Sequence, residues 1–109
     1  MSFDPATAER LAPHFANEPG AEESRLFGGF GYTINGHMCA GVHRNSVMIR
    51  VGEPQAQSII GAPGVRAMDL TGRVMKAWAT LEGEAIQSPE RLAAYIEMAK
   101  AFVRQLPPK

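Results

Sequence analysis

Arg25–Gly52 reads RLFGGFGYTINGHMCAGVHRNSVMIRVG. It holds glycines, aromatics, two histidines and the chain's only cysteine, so a phosphate loop, a metal site and plain strands all compete for it. The strand reading accounts for most of the residues. FGYTI (30–34) ends at Asn35-Gly36, a pair that tolerates positive φ and so closes a two-residue hairpin. HMCAGVH (37–43) returns, Arg44-Asn45 turns again, and SVMIRV (46–51) alternates apolar and polar.

The rival readings fail on context. A dinucleotide fingerprint needs a strand, then G-x-G-x-x-G, then a helix whose N-terminus meets the phosphate. GGFGYTING (28–36) leads into another strand. Zinc needs its ligands within about 2.0–2.3 Å of one centre. On a strand rising ~3.3 Å per residue, His37 and His43 lie roughly 20 Å apart, and His37 with Cys39 supplies only two ligands. No metal, cofactor or catalytic residue set is expected.

Outward from this stretch, Asp4 is an N-cap and Pro5 a first helical residue, with Ala8, Leu11 and Ala12 on one face until Pro13 disturbs the helix. ANEPGAEES (16–24) reads as a polar connection. Glu53-Pro54 opens a short helix that Gly61 stops. VRAMDLTGRVMKAWATL (65–81) reads as two strands bent at Gly72, and EGEAIQ (82–87) as a loop. Ser88 and Pro89 start a last helix with the apolar stripe Leu92, Ile96, Ala99, Phe102, Val103 and Leu106. The order α-β-β-β-α-β-β-α predicts a single α+β domain over 1–109, a two-layer sandwich. Its sheet is five-stranded and mainly antiparallel, with helices on one face.

At 109 residues the chain has room for one modest core. Eleven Lys+Arg balance eleven Asp+Glu. Counterion release favours a basic face, so strong direct DNA binding is not expected. No apolar run approaches the ~20 residues that span a bilayer. The N-terminus carries no secretory pattern, and the lone cysteine suits a reducing compartment, so the expected location is cytoplasmic.

Two-residue turns also fix which side chains share a face. If both hairpins close with two residues, Thr33, Met38, Ala40, Val42, Val47, Ile49 and Val51 lie under the helices, joined by Met75, Ala77, Ala79 and Leu81; an odd loop length would flip the assignment. Phe30, Tyr32, Met48, Arg50, Lys76 and Trp78 then meet on the opposite face, an aromatic and basic patch of the kind partner proteins use. The alternative is that this face is covered and forms a second small core.

LFGGFGYTINGHMCAGV (26–42), VMIRVG (47–52), APGVRAMDLTGRVMKAW (62–78) and FVRQLPPK (102–109) resemble the N-terminal domain of the TfoX/Sxy competence regulators. The resemblance runs over nearly the whole chain. It implies a secretion-chaperone-like α+β fold and a short, single-domain member without the family's second, helical domain. It also implies a link to transcription of DNA-uptake genes with a cyclic-AMP receptor protein. Pro13 and Val74 depart from the pattern, where a helix former and a proline are usual. The resemblance brings no catalytic residues.

Among other residues, Asp69, Thr71 and Lys76 read better as turn chemistry than as an acid–base set. Glu82, Glu84, Glu90 and Glu97 read as solvated charge. Cys39 opposite Arg50 is a thin redox candidate, since a cation lowers a thiol pKa. The expectation is a non-enzymatic regulatory or protein-interaction module, self-associating as a homodimer or binding a protein partner through the open face. The alternative is a small-ligand (anion) binding protein or enzyme using Arg50, Lys76 and Arg73.

Overall fold

The computed structural model describes residues 4–25, 29–69 and 74–107. Helix α1 (Pro5–Leu11) starts as its sequence requires: the Asp4 carboxylate accepts from the Thr7 amide at 3.1 Å and the Thr7 hydroxyl at 2.8 Å. Pro13 sits in a 3-10 turn, Ala12–His14, that ends the helical segment. Six strands follow: β1 (Ala21–Ser24), β2 (Phe30–Ile34), β3 (His37–His43), β4 (Ser46–Arg50), β5 (Val65–Asp69) and β6 (Val74–Leu81). Between β4 and β5 lies α2 (Glu53–Ile59); after β6 come α3 (Glu84–Gln87) and α4 (Pro89–Arg104). Ser88 Oγ caps α4 by accepting from the Arg91 amide at 3.3 Å.

All strand pairs are antiparallel, in the order β1-β2-β3-β4-β6-β5. The α+β class holds, and the sheet has one strand more than expected. The extra strand is β1, which lies in the segment read as a polar connection. Its Glu22 and Glu23 are exposed, so no alternating apolar pattern marks it; pairing with β2 makes it a strand. EGEAIQ, read as a loop, contains the one-turn helix α3. Gly72, Thr71 and Arg73 fall outside the described residues.

The turns are as read. Asn35 and Gly36 take φ of 53° and 85°, and Arg44 takes 57°. Between them lies a bulge. Thr33 pairs with Met38 but Tyr32 pairs with Ala40, so Cys39 is an extra residue in β3. Ile34, Tyr32 and Phe30 therefore share the face of Ala40 and Val42, under the helices. The main core fills that side, with Ile34, Val42, Val47, Ile49 and Leu81 against Leu11, Leu92, Ile96 and Val103. Gly52 (φ 86°) lies beneath the Phe102 ring, where any Cβ would collide.

Candidate functional site

The six residues expected on one patch are divided by the Cys39 bulge. Phe30 and Tyr32 lie on the helix side. Tyr32 stacks on Phe15 with ring centroids 4.4 Å apart and planes 6° apart, and Phe30 meets Tyr32 edge-on at 5.3 Å. Met48 and Trp78 keep the far face, but they are 2% and 4% exposed and cluster with Met68. Met38, Met75 and Ala77 pack around them, so this is the second small core rather than an open aromatic patch. Met38, Met75 and Ala77 were expected in the main core; the Cys39 bulge accounts for Met38. A register shift between Ala67 and Asp69 re-aims that end of β6. Arg50 donates to the Met38 carbonyl at 3.5 Å and its guanidinium lies 5.9 Å from the Phe102 ring centroid. Lys76 is exposed.

Cys39 is fully enclosed, and burial pushes its thiol up to about 12. A thiol held that high is protonated and unreactive at neutral pH. Native protein is expected to leave Cys39 unlabelled by a thiol-exchange dye and to label fully in guanidinium. Rapid native labelling would restore the redox reading. His37 is occupied at the chain end, with Nε2 2.5 Å from the Pro107 carbonyl oxygen. Among the described residues, no three His, Cys, Asp or Glu side chains gather where they could hold a metal.

Two features were missed in the sequence. The first is a charged cluster inside the helix layer. Lys100, 6% exposed, donates to the His14 carbonyl at 2.6 Å and pairs with Glu18 at 3.1 Å and Glu97 at 3.4 Å. Arg104 Nε donates to Glu18 Oε2 at 2.9 Å. The Arg104 hydrogen bond, with help from Lys100, holds the Glu18 carboxyl below the usual carboxylate range. The His14 imidazole is lowered, first by burial and then by the Lys100 charge. A signal existed: Lys100 follows Ile96 by four residues and precedes Val103 by three, so it lies on the apolar stripe.

The second is the β1 edge. Asn35 N donates to Gly20 O at 3.1 Å, which sets the ladder's alternation. Glu22 and Ser24 turn their backbone groups to β2, and Ala21 and Glu23 turn theirs outward. The Ala21 amide is used locally, by Glu18 O at 3.2 Å. That leaves the Ala21 carbonyl and both backbone groups of Glu23 without a partner among the described residues. Beside them a groove of about 300 Å³ is lined by Ala12, Phe15, Ala16, Ala21, Glu22, Glu23 and Tyr32. Burial and then the Glu23 carboxylate push the Tyr32 phenol up.

The other sheet edge is partly covered, at both backbone groups of Val65 and at the Ala67 carbonyl. Val65 N donates to Ala62 O at 2.9 Å, Gly61 N donates to Val65 O at 3.1 Å, and Arg66 Nη1 reaches the Ala67 carbonyl at 3.4 Å. Arg66 also pairs with Glu82 at 3.0 Å, and Ser46 Oγ donates to the same carboxylate at 3.1 Å. The Arg66 hydrogen bond, then Ser46, holds the Glu82 carboxyl low.

The sequence profile of the TfoX N-terminal domain matches residues 14–103, from the 3-10 turn through nearly all of α4. The chain belongs to the TfoX N-terminal domain family. The match includes β1, the Cys39 bulge and both partners of the Lys100–Glu18 pair, with Arg104 one residue beyond its end. A search of curated proteins gives no match. Among the described residues, no helix is long and apolar enough to cross a membrane.

Proposed function

We propose that this TfoX-type domain is a non-enzymatic regulatory module, cytoplasmic, that acts by holding another protein chain. One observation carries the reading: along β1 the Ala21 carbonyl and both backbone groups of Glu23 have no partner among the described residues and lie beside a groove, whereas on the β5 edge Val65 has both of its groups bonded. Open edges invite aggregation, and folded proteins usually cover them unless they are used. Membership of this family supports a competence-regulator-like role, and the balanced charge favours a protein partner over direct DNA binding.

Self-association by this edge is disfavoured, because two antiparallel copies would set Glu22 and Glu23 against like charges. The partner is therefore a different chain. The face once expected to dimerise has its Trp78 and Met48 already packed away. The anion-binding alternative loses Arg50 to the Met38 carbonyl and Phe102.

The test is a photo-crosslinking amino acid at Glu22, expressed in the native host, with Gln57 on α2 as the control site. A discrete protein adduct from Glu22, absent from Gln57 and abolished by Glu23→Pro, is expected. Equal adducts from both sites, or none, would overturn the reading.

A further inference from the structure

We propose that the β1 edge takes an extended, basic peptide segment of the partner as a seventh, antiparallel strand; this rests on the interaction-module reading and names the ligand of that site. The geometry dictates the peptide's pattern. All strand pairs in this sheet are antiparallel, and an added strand would continue that ladder. The peptide residue opposite Glu23 exchanges two backbone hydrogen bonds with it, and the residue opposite Ala21 donates to the Ala21 carbonyl. Those two side chains fall on the helix side, because Ala21 and Glu23 pair there with Ile34 and Tyr32.

The residue opposite Ala21 meets the apolar part of the groove, the Ala12, Phe15 and Ala16 wall against Tyr32, and must be apolar. The residue opposite Glu23 meets its carboxylate. The residue between them points to the other face, opposite Glu22. Both carboxylates are exposed and unpaired among the described residues, so both positions favour lysine or arginine. In an antiparallel strand the order is basic, basic, apolar from N to C.

Charge on an edge strand also guards against aggregation, and Glu22 and Glu23 do that here. A guard explains the carboxylates. It does not explain a groove with stacked aromatic rings at its floor, beside an edge whose Ala21 carbonyl and Glu23 amide and carbonyl have no partner among the described residues. On the β5 edge hydrogen bonds cover both backbone groups of Val65 and the Ala67 carbonyl.

The experiment is an NMR titration of the whole chain with a capped hexapeptide of threonines carrying a central lysine–lysine–leucine. Binding should shift the amide signals of Ala21, Glu23 and Tyr32. It should also slow hydrogen exchange at the Glu23 amide, which in the free protein exchanges faster than that of Glu22. Methylating the peptide's leucine and first lysine amide nitrogens should abolish binding. Replacing its lysines with glutamates, or making Glu22→Lys with Glu23→Lys in the protein, should weaken it about tenfold or more at low salt. No binding, undiminished binding of the methylated or acidic peptide, or shifts centred elsewhere would overturn the proposal. If the peptide fails while the Glu22 crosslink persists, the partner class is wrong and the interaction-module reading stands; if the crosslink also fails, both fall.

Discussion

Trp78→Glu is expected to unfold the domain, and so is Ile49→Glu on the opposite face. Trp78 is 4% exposed against Met48 and Met68, so its replacement by a carboxylate strands a charge among sulfur and ring atoms. Even truncation is severe: Trp→Ala in a packed core costs about 3–5 kcal/mol, against a total of about 5–15 kcal/mol for a domain. Trp78→Ala should therefore fold with a sharply lowered urea midpoint, while both glutamate variants lose their circular dichroism. As the only tryptophan, Trp78 reports directly, and its emission should move to the red in urea as the cluster opens. A folded Trp78→Glu protein that had merely lost a partner would instead make this face an interface and remove the second core.

The sequence reading and the structure differ most at the Cys39 bulge, at β1 and at the Lys100 cluster, each for a physical reason. Elements marked by caps and turns were legible: Asp4, Asn35-Gly36 and Ser88 act locally, so the residue type announces the geometry. The bulge at Cys39 was not, because HMCAGVH is apolar or small on both faces, so the break in alternation between Met38 and Ala40 leaves no mark in residue type. That one residue moved Phe30 and Tyr32 from the expected patch to the helix side and gave the β1 groove its floor. Strand β1 was hidden because an exposed edge strand buries little, so Ala21–Ser24 carries a loop's composition. The Lys100 cluster was visible in principle, as a lysine on the apolar stripe of α4. Its meaning lay in Glu18, over eighty residues earlier, which no local pattern connects to it.

That pair carries the second large expected effect. Lys100 and Glu18 side chains are 8% and 7% exposed, and the bond between them ties the segment before β1 to α4. Glu18→Gln leaves the Lys100 ammonium nearly enclosed, with the His14 carbonyl and the half-exposed Glu97 as its remaining partners. Removing one member of a buried pair costs about 3–5 kcal/mol; the surviving partners put this variant near about 3 kcal/mol at neutral pH. The pH dependence follows from the direction of the Glu18 shift. Its folded carboxyl lies below the ordinary value of 4.5, chiefly through Arg104. The unfolded chain then binds the proton more readily than the native one, so the stabilisation is full above that value and is lost as pH falls through the folded pKa. Urea unfolding of wild type and Glu18→Gln should thus differ most at neutral pH and converge as the pH falls through the lowered folded pKa of Glu18. In a cycle with Lys100→Met, the double variant should be less destabilised than the two singles combined, by about 1–3 kcal/mol, because no charge is left stranded. A Glu18→Gln protein as stable as wild type at neutral pH, or a gap that widens in acid, would show that the pair is not what holds the β1 segment to α4.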